Sequence, residues 1–165
     1  MLFDLGGEMM PNWIEGTLKL RGKPEHIKRF FREGLEPQGS GHGTPDQESF
    51  TEEEIIYGES FFTFHRSPHV VGTRRAFITD EDLVWVYGET DTVVAVSVQQ
   101  AWGFIAENWA EIAKKYNLDI RLQGFESGMQ FAQDLIVKAD GTVEKDKEIH
   151  YDDWDWECPF PKMGG

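Results

Sequence analysis

Pro11-Asn12-Trp13-Ile14-Glu15-Gly16-Thr17-Leu18-Lys19-Leu20-Arg21-Gly22 decides the fold. Ile14, Gly16, Leu18 and Leu20 share one phase of a two-residue period, and Trp13, Glu15, Thr17, Lys19 and Arg21 share the other. Successive side chains of a strand point to opposite faces, so this is a half-buried strand. We expect it at the centre of an α+β sandwich. Gly22-Lys23-Pro24 stops it, and Pro24 suits the first turn of a helix, where its missing N–H has no partner to lose. Ile27, Phe30 and Phe31 recur at helical spacing, and Gly34 is placed to close the helix in the left-handed conformation.

Working outward, the chain of 165 residues is one domain's worth, with six Trp and twelve Phe to fill a core. A formal charge of −14 opposes nucleic acid and anionic membranes, whose phosphates it would repel. It favours solubility and admits a protein partner with a basic surface. The single Cys158 excludes an internal disulfide framework and fits the cytoplasm. No apolar run approaches the roughly 20 residues of a membrane helix. Residues 1–9 read as a flexible leader without secretory character, and translation starting at Met9 or Met10 is compatible with them.

Residues 35–60 change character. Pro37, Gly39, Ser40, Gly41, Gly43 and Pro45 punctuate them, and Glu48, Glu52, Glu53, Glu54 and Glu59 follow with no cation between. The composition predicts a mobile acidic insertion. Phe61–His65 and Arg74–Thr79 read as an inserted hairpin whose connection holds His65, Arg66, His69, Arg74 and Arg75. Arg66, Arg74 and Arg75 with His69 suggest an anion clamp; the plainer reading, which we favour, pairs these cations with the surplus carboxylates around them. His65 and His69 stand four apart, but Pro68 forbids the helix that would make them a metal pair, so neither metal nor cofactor is expected.

Leu83–Tyr87 and Thr92–Gln99 flank the turn chemistry of Gly88–Asp91 and read as a second hairpin. Trp102–Tyr116 is a helix with a stripe of Ile105, Trp109, Ile112, Ala113 and Tyr116, ended by Asn117. Leu118, Ile120 and Leu122 alternate with Asp119, Arg121 and Gln123 as a strand. Met129–Val137 is a further strand, slipping phase near Gln133. Asp140-Gly141 turns it into a charged edge strand over Thr142–Tyr151. Residues 152–165 form an acidic-aromatic tail. Its Trp154, Trp156 and Phe160 either fold back on the domain or dock a partner.

Without the inserted hairpin, the order over residues 10–151 is strand, helix, strand, strand, helix, strand. That is the split βαβ order of a ferredoxin-like antiparallel sheet with two helices on one face, extended here by a C-terminal β-hairpin. Met10-Pro11-Asn12-Trp13, Gly22, Trp102 and Phe125-Glu126-Ser127-Gly128 look like the YubB-type ferredoxin-like family of phage- and plasmid-encoded proteins, whose biochemical role is uncharacterised. Members often carry Cys directly after the Trp, where this chain has Ile14, and a Cys–Gly near Ala132-Gln133, absent here. No metal or redox role carries over from those cysteines.

Three function classes follow. The first is a non-enzymatic protein-binding module, in its sharpest form an acidic inhibitor of a host nucleic-acid-binding protein. The second is an RRM-like single-strand binder, for which the first strand offers Trp13, Lys19 and Arg21. The third is an enzyme with a carboxylate pair among Glu15, Asp119 and Glu126. The chain has no phosphate-cradling glycine loop, Cys-x-x-Cys, His-Glu-x-x-His or nucleophile elbow.

Overall fold

Alternation in β1 (Trp13–Gly22) sets the architecture, because its apolar phase must be covered and its two edges paired. The computed structural model describes residues 11–38 and 48–165; the leader, Met10 and residues 39–47 of the expected mobile insertion lie outside them. After β1 come α1 (Pro24–Glu33), β2 (Leu35–Glu36), β3 (Phe50–Ile56), β4 (Glu59–Phe64), β5 (His69–Val70), β6 (Ala76–Ile78) and β7 (Asp82–Val86). Then follow β8 (Thr92–Ala101), α2 (Ala106–Tyr116), β9 (Asp119–Glu126), β10 (Phe131–Val137), β11 (Val143–Ile149) and the single turn α3 (Trp154–Glu157). The protein is α+β. Eight strands form one antiparallel sheet in the order β11-β10-β9-β1-β8-β6-β5-β2, and β3-β4-β7 form a second.

β1 is central, as its pattern predicts. Leu18 stands opposite Val96 of β8 on one side and Leu122 of β9 on the other. Ile14, Leu18, Leu20, Val94, Val96, Val98, Ile120, Leu122, Leu135 and Val137 are buried on one face. The helices cover that face: Trp109 Nε1 of α2 donates to buried Gln100 Oε1 of β8 at 3.0 Å. Phe30 of α1 meets Tyr116 of α2 edge-on at 5.5 Å. The other face carries neither α1 nor α2; the C-terminal tail meets it at Phe125, and its end with Lys19 and Arg21 is open.

Helix α1 also holds the small sheet. Phe31 packs against Phe50, Phe62 and Phe64, with ring centroids 5.4–5.5 Å apart, and Phe62 meets Trp85. This aromatic cluster is continuous with the main core.

Several expectations are corrected. Neither predicted hairpin of the middle region forms. β4 pairs with β3 and β7, whereas Ala76–Ile78 enters the large sheet between β8 and β5. The burial explains it: β4 alternates and so has one face to bury, while all three residues of β6 are buried. Likewise β7 joins the small sheet, and β8 is flanked by β1 and β6. Within residues 35–60, the acidic run is not loop but edge strand β3. Gly34 closes α1 at φ −92°, so close approach rather than handedness demands glycine there: a Cβ would lie 2.6 Å from Phe30 O. α2 starts four residues later than predicted, because Trp102 and Gly103 have φ of 68° and 138°, outside helical space. The irregularity of β10 falls at Ile136/Val137 rather than near Gln133.

The C-terminal hairpin forms as the Asp140-Gly141 turn requires, with Gly141 at φ 89° and Asp140 Oδ1 accepting from Thr142 N. The tail folds back. Trp154 is buried and donates Nε1 to Pro161 O at 2.8 Å, and Cys158, four residues on, is buried and donates its N–H to Trp154 O at 3.0 Å. Phe160 stands edge-on to Phe125 on the open face. Gly165 N donates to Trp13 O at 2.8 Å, and Ser127 Oγ to Gly164 O.

Candidate interaction surfaces

The small sheet turns its inner phase, Phe50, Glu52, Ser60, Phe62, Phe64 and Trp85, toward α1. Its outer phase and its tip therefore face water. Five large apolar side chains stand exposed there: Ile55 at 53%, Ile56 at 63%, Tyr57 at 83%, Val84 at 53% and Val86 at 71%. Register brings them together, since Glu59 lies opposite both Ile56 and Val86, and Phe61 lies opposite Glu53 and Val84. The rim is acidic, with Glu53, Glu54 and Glu59. Clustered apolar exposure with a polar rim is the signature of an interaction site, whereas single exposed apolar residues are ordinary.

A polar pin fixes this sheet to α1. Glu52 Oε1 accepts from Lys28 Nζ at 2.9 Å and from Ser60 Oγ at 3.0 Å, Arg32 pairs with Oε2, and Lys28 Nζ also donates to the Tyr87 hydroxyl at 2.6 Å. Burial alone would raise the Glu52 carboxyl, but the hydrogen bonds from Lys28, Arg32 and Ser60 outweigh it and hold it below its ordinary 4.5. Burial alone would lower Lys28, and its bonds to Glu52 and Tyr87 raise it instead. A carboxyl depressed in the folded state stabilises it fully above the unfolded value, and that contribution is lost as pH falls through the folded one. Acid titration should therefore loosen the small sheet below about pH 4.5. Glu52→Gln should flatten this part of the stability–pH curve, measured by urea melts at stepped pH. An unchanged curve would remove Glu52 from the linkage.

The predicted anion clamp is not brought together. Arg74 lies on the helix-bearing side, its backbone N–H donating to Asn108 Oδ1 of α2 and its guanidinium to Ala101 O. Arg75 takes φ 53° and stacks over the Trp13 ring on the open face, at 5.2 Å. His69 is engaged by Glu36 at 2.5 Å and by Thr73 O at 3.0 Å. Arg66 sits at φ 57° in the connection before β5. Of the tail aromatics, Trp154 is buried and Phe160 rests on Phe125, while Trp156 is 87% exposed.

The carboxylates of the enzyme reading also stay apart. Glu126 is buried and caps the bend, accepting from Gly128 N at 2.6 Å and Met129 N at 2.8 Å. Glu15 stands opposite Phe125, and Asp119 opposite Arg21. Six residues of strand separate those rows, about 20 Å. Among the described residues, no group of three or more His, Cys, Asp or Glu side chains converges as metal ligands would. No helix among them is long and apolar enough to cross a membrane.

The open face carries a second surface. In register across four strands lie Lys145 of β11, Ile136 of β10, Arg121 of β9 and Lys19 of β1, with Lys147 and Arg21 in flanking rows. Asp134 accepts from Arg121 Nη2 at 2.9 Å and Lys145 Nζ at 2.7 Å; Asp119 accepts from Arg21 at 2.7 Å and Lys138 at 3.3 Å. Burial would raise both carboxyls, and these cations hold both below the usual 3.8. A shallow cleft of about 330 Å³ lies among Lys19, Arg21, Val93, Arg121 and Ile136.

Sequence reasoning missed the first surface and reached the second only as far as Trp13, Lys19 and Arg21 of β1. Ile55-Ile56-Tyr57 inside an acidic run was the available signal for the first. For the second it was the occurrence of Lys19, Arg21 and Arg121 on the polar phase of two strands, which means little until β1 and β9 are known to be neighbours. Fold and surfaces together define an α+β protein with an open antiparallel sheet and a satellite sheet. Comparison of the chain with protein-family models, with curated proteins and with solved structures finds no match.

Proposed function

We propose that the protein is a non-catalytic binding module that uses the tip of the small sheet to hold a protein with a basic surface. The observation that carries this is the exposed cluster Ile55, Ile56, Tyr57, Val84 and Val86 inside its carboxylate rim. Apolar contact supplies the affinity of such a surface, and the rim selects a cationic partner and speeds encounter. A host protein whose basic groove ordinarily takes nucleic acid fits this chemistry. The ferredoxin-like reading is part of the proposal. Strands β9-β1-β8-β6 lie in that order, all antiparallel, with α1 after β1 and α2 after β8, which supports a split βαβ core carrying the small sheet as an insertion. A place in the YubB-type family, and with it an origin on a mobile element, rests on the short motifs alone.

The test is affinity capture from bacterial lysate, compared across three forms of the protein and read by mass spectrometry. Ile56→Asp with Val86→Asp should abolish capture of basic proteins. Glu53→Lys with Glu54→Lys and Glu59→Lys should do the same while leaving the apolar cluster intact. Capture by the unchanged protein should weaken as salt rises. A captured set that neither variant alters would refute the assignment of this surface.

A further inference from the structure

We propose that the open face of the large sheet binds single-stranded nucleic acid along the cationic rows Lys19, Arg21, Arg121, Lys145 and Lys147. Whole-chain charge opposes such a ligand, but local charge does not. With Lys138, six cations share this end of the face with four carboxylates, Asp119, Asp134, Asp140 and Glu144, in a chain of net −14. The acidic small sheet packs on α1, on the opposite side of the large sheet. Solvent-exposed charges more than about 8 Å apart are largely screened at physiological salt, so carboxylates on that far side weigh little on a ligand at the open face.

The geometry favours a strand of phosphates over one compact anion. The cations do not converge on a point; they run across β11, β9 and β1 in register. Asp134 holds Arg121 and Lys145 side by side, and Asp119 holds Arg21, so these side chains are positioned in advance rather than free to sweep. Each guanidinium retains N–H donors beyond those its carboxylate takes. Lys19 and Lys147 are exposed, and neither pairs with a carboxylate among the described residues.

Rings complete the surface. Trp13 lies on the same face as Lys19, six residues and about 20 Å along β1, edge-on to Phe77 and under Arg75. Between them stand two rows, Thr17 with Gln123 and Ser97, and Glu15 with Phe125 and Gln99, so one carboxylate lies on the path. A sheet face with cations at one end and a guanidinium stacked on a ring at the other suits unstacked bases, because phosphates meet the charges while a base lies over the Arg75 plane that covers Trp13.

Fluorescence anisotropy with a labelled oligothymidylate tests this. Binding should be micromolar at about 50 mM salt and weaken about 100-fold by about 200 mM, as five phosphate contacts on a single strand imply. Lys19→Gln with Lys147→Gln, which breaks no ion pair, should reduce that salt effect to about 20-fold. No binding at low salt, or binding that the double variant leaves unchanged, would overturn the proposal. Equal competition by polyglutamate would overturn it in favour of an acidic polypeptide, and equal binding of a duplex would remove the stacking role of Arg75 over Trp13.

Discussion

Gly16→Ala is expected to cost more than about 3 kcal/mol of folding stability, the largest loss from adding a single methyl group at a glycine among the described residues. Gly16 of β1 and Gly124 of β9 stand directly opposite each other. A Cβ at Gly16 would lie 1.9 Å from the Gln123 carbonyl oxygen and 2.5 Å from Gly124 Cα. Those are backbone atoms of a paired strand, so no rotamer change relieves the clash. The central ladder must open instead, and every element docked on β9 moves with it. Thr17→Ala, one residue away and on the open face, is the matched control and should shift stability by less than about 1 kcal/mol. Urea melts followed by far-ultraviolet circular dichroism read both. Equal midpoints for the two variants would mean that β1 and β9 are not this close.

Phe31→Ala should cost about 3–5 kcal/mol, and the loss should be felt unevenly. Phe31 is the side chain through which α1 meets Phe50, Phe62 and Phe64 of the small sheet. Removing it leaves a cavity between them, while the face of α1 built from Ile27 and Phe30 still covers the large sheet. The Lys28–Glu52 pin remains, but a polar contact at the margin does not replace a buried ring. Hydrogen exchange read by mass spectrometry should show β3, β4 and β7 losing protection well before β1, β8 and β9. Uniform loss across all strands would show that the two sheets form one cooperative unit.

The sequence was most readable where one face of an element is buried over a long run. β1, β9 and the stripe of α2 announced themselves because burial repeats with the period of the backbone. The C-terminal hairpin was legible from its turn, since Asp140-Gly141 supplies the conformations a tight reversal needs. Residues 50–86 failed for a different reason. Their strand character was visible in β4 and β7, but partner choice is decided by which apolar faces remain uncovered elsewhere, and adjacency in sequence was a poor guide to that. β5 and β6 are two and three residues long, too short to display any period. Arg74 and Arg75 illustrate the same limit at the level of a site. They lie in the bend before β6, where Arg75 turns to φ 53°, so a pair that looks like a clamp in the sequence is sent to Asn108 and Ala101 on one side and to Trp13 on the other.

The folded-back tail gives the molecule a built-in reporter. Cys158, the chain's single thiol, is 4% exposed, so a thiol reagent in solution reaches it only when that segment lifts. The labelling rate therefore counts openings of the tail directly, free of any second cysteine. Compared with and without a bound partner or oligonucleotide, it would time whether occupancy at either surface is communicated to the end of β1 where the chain is stitched down.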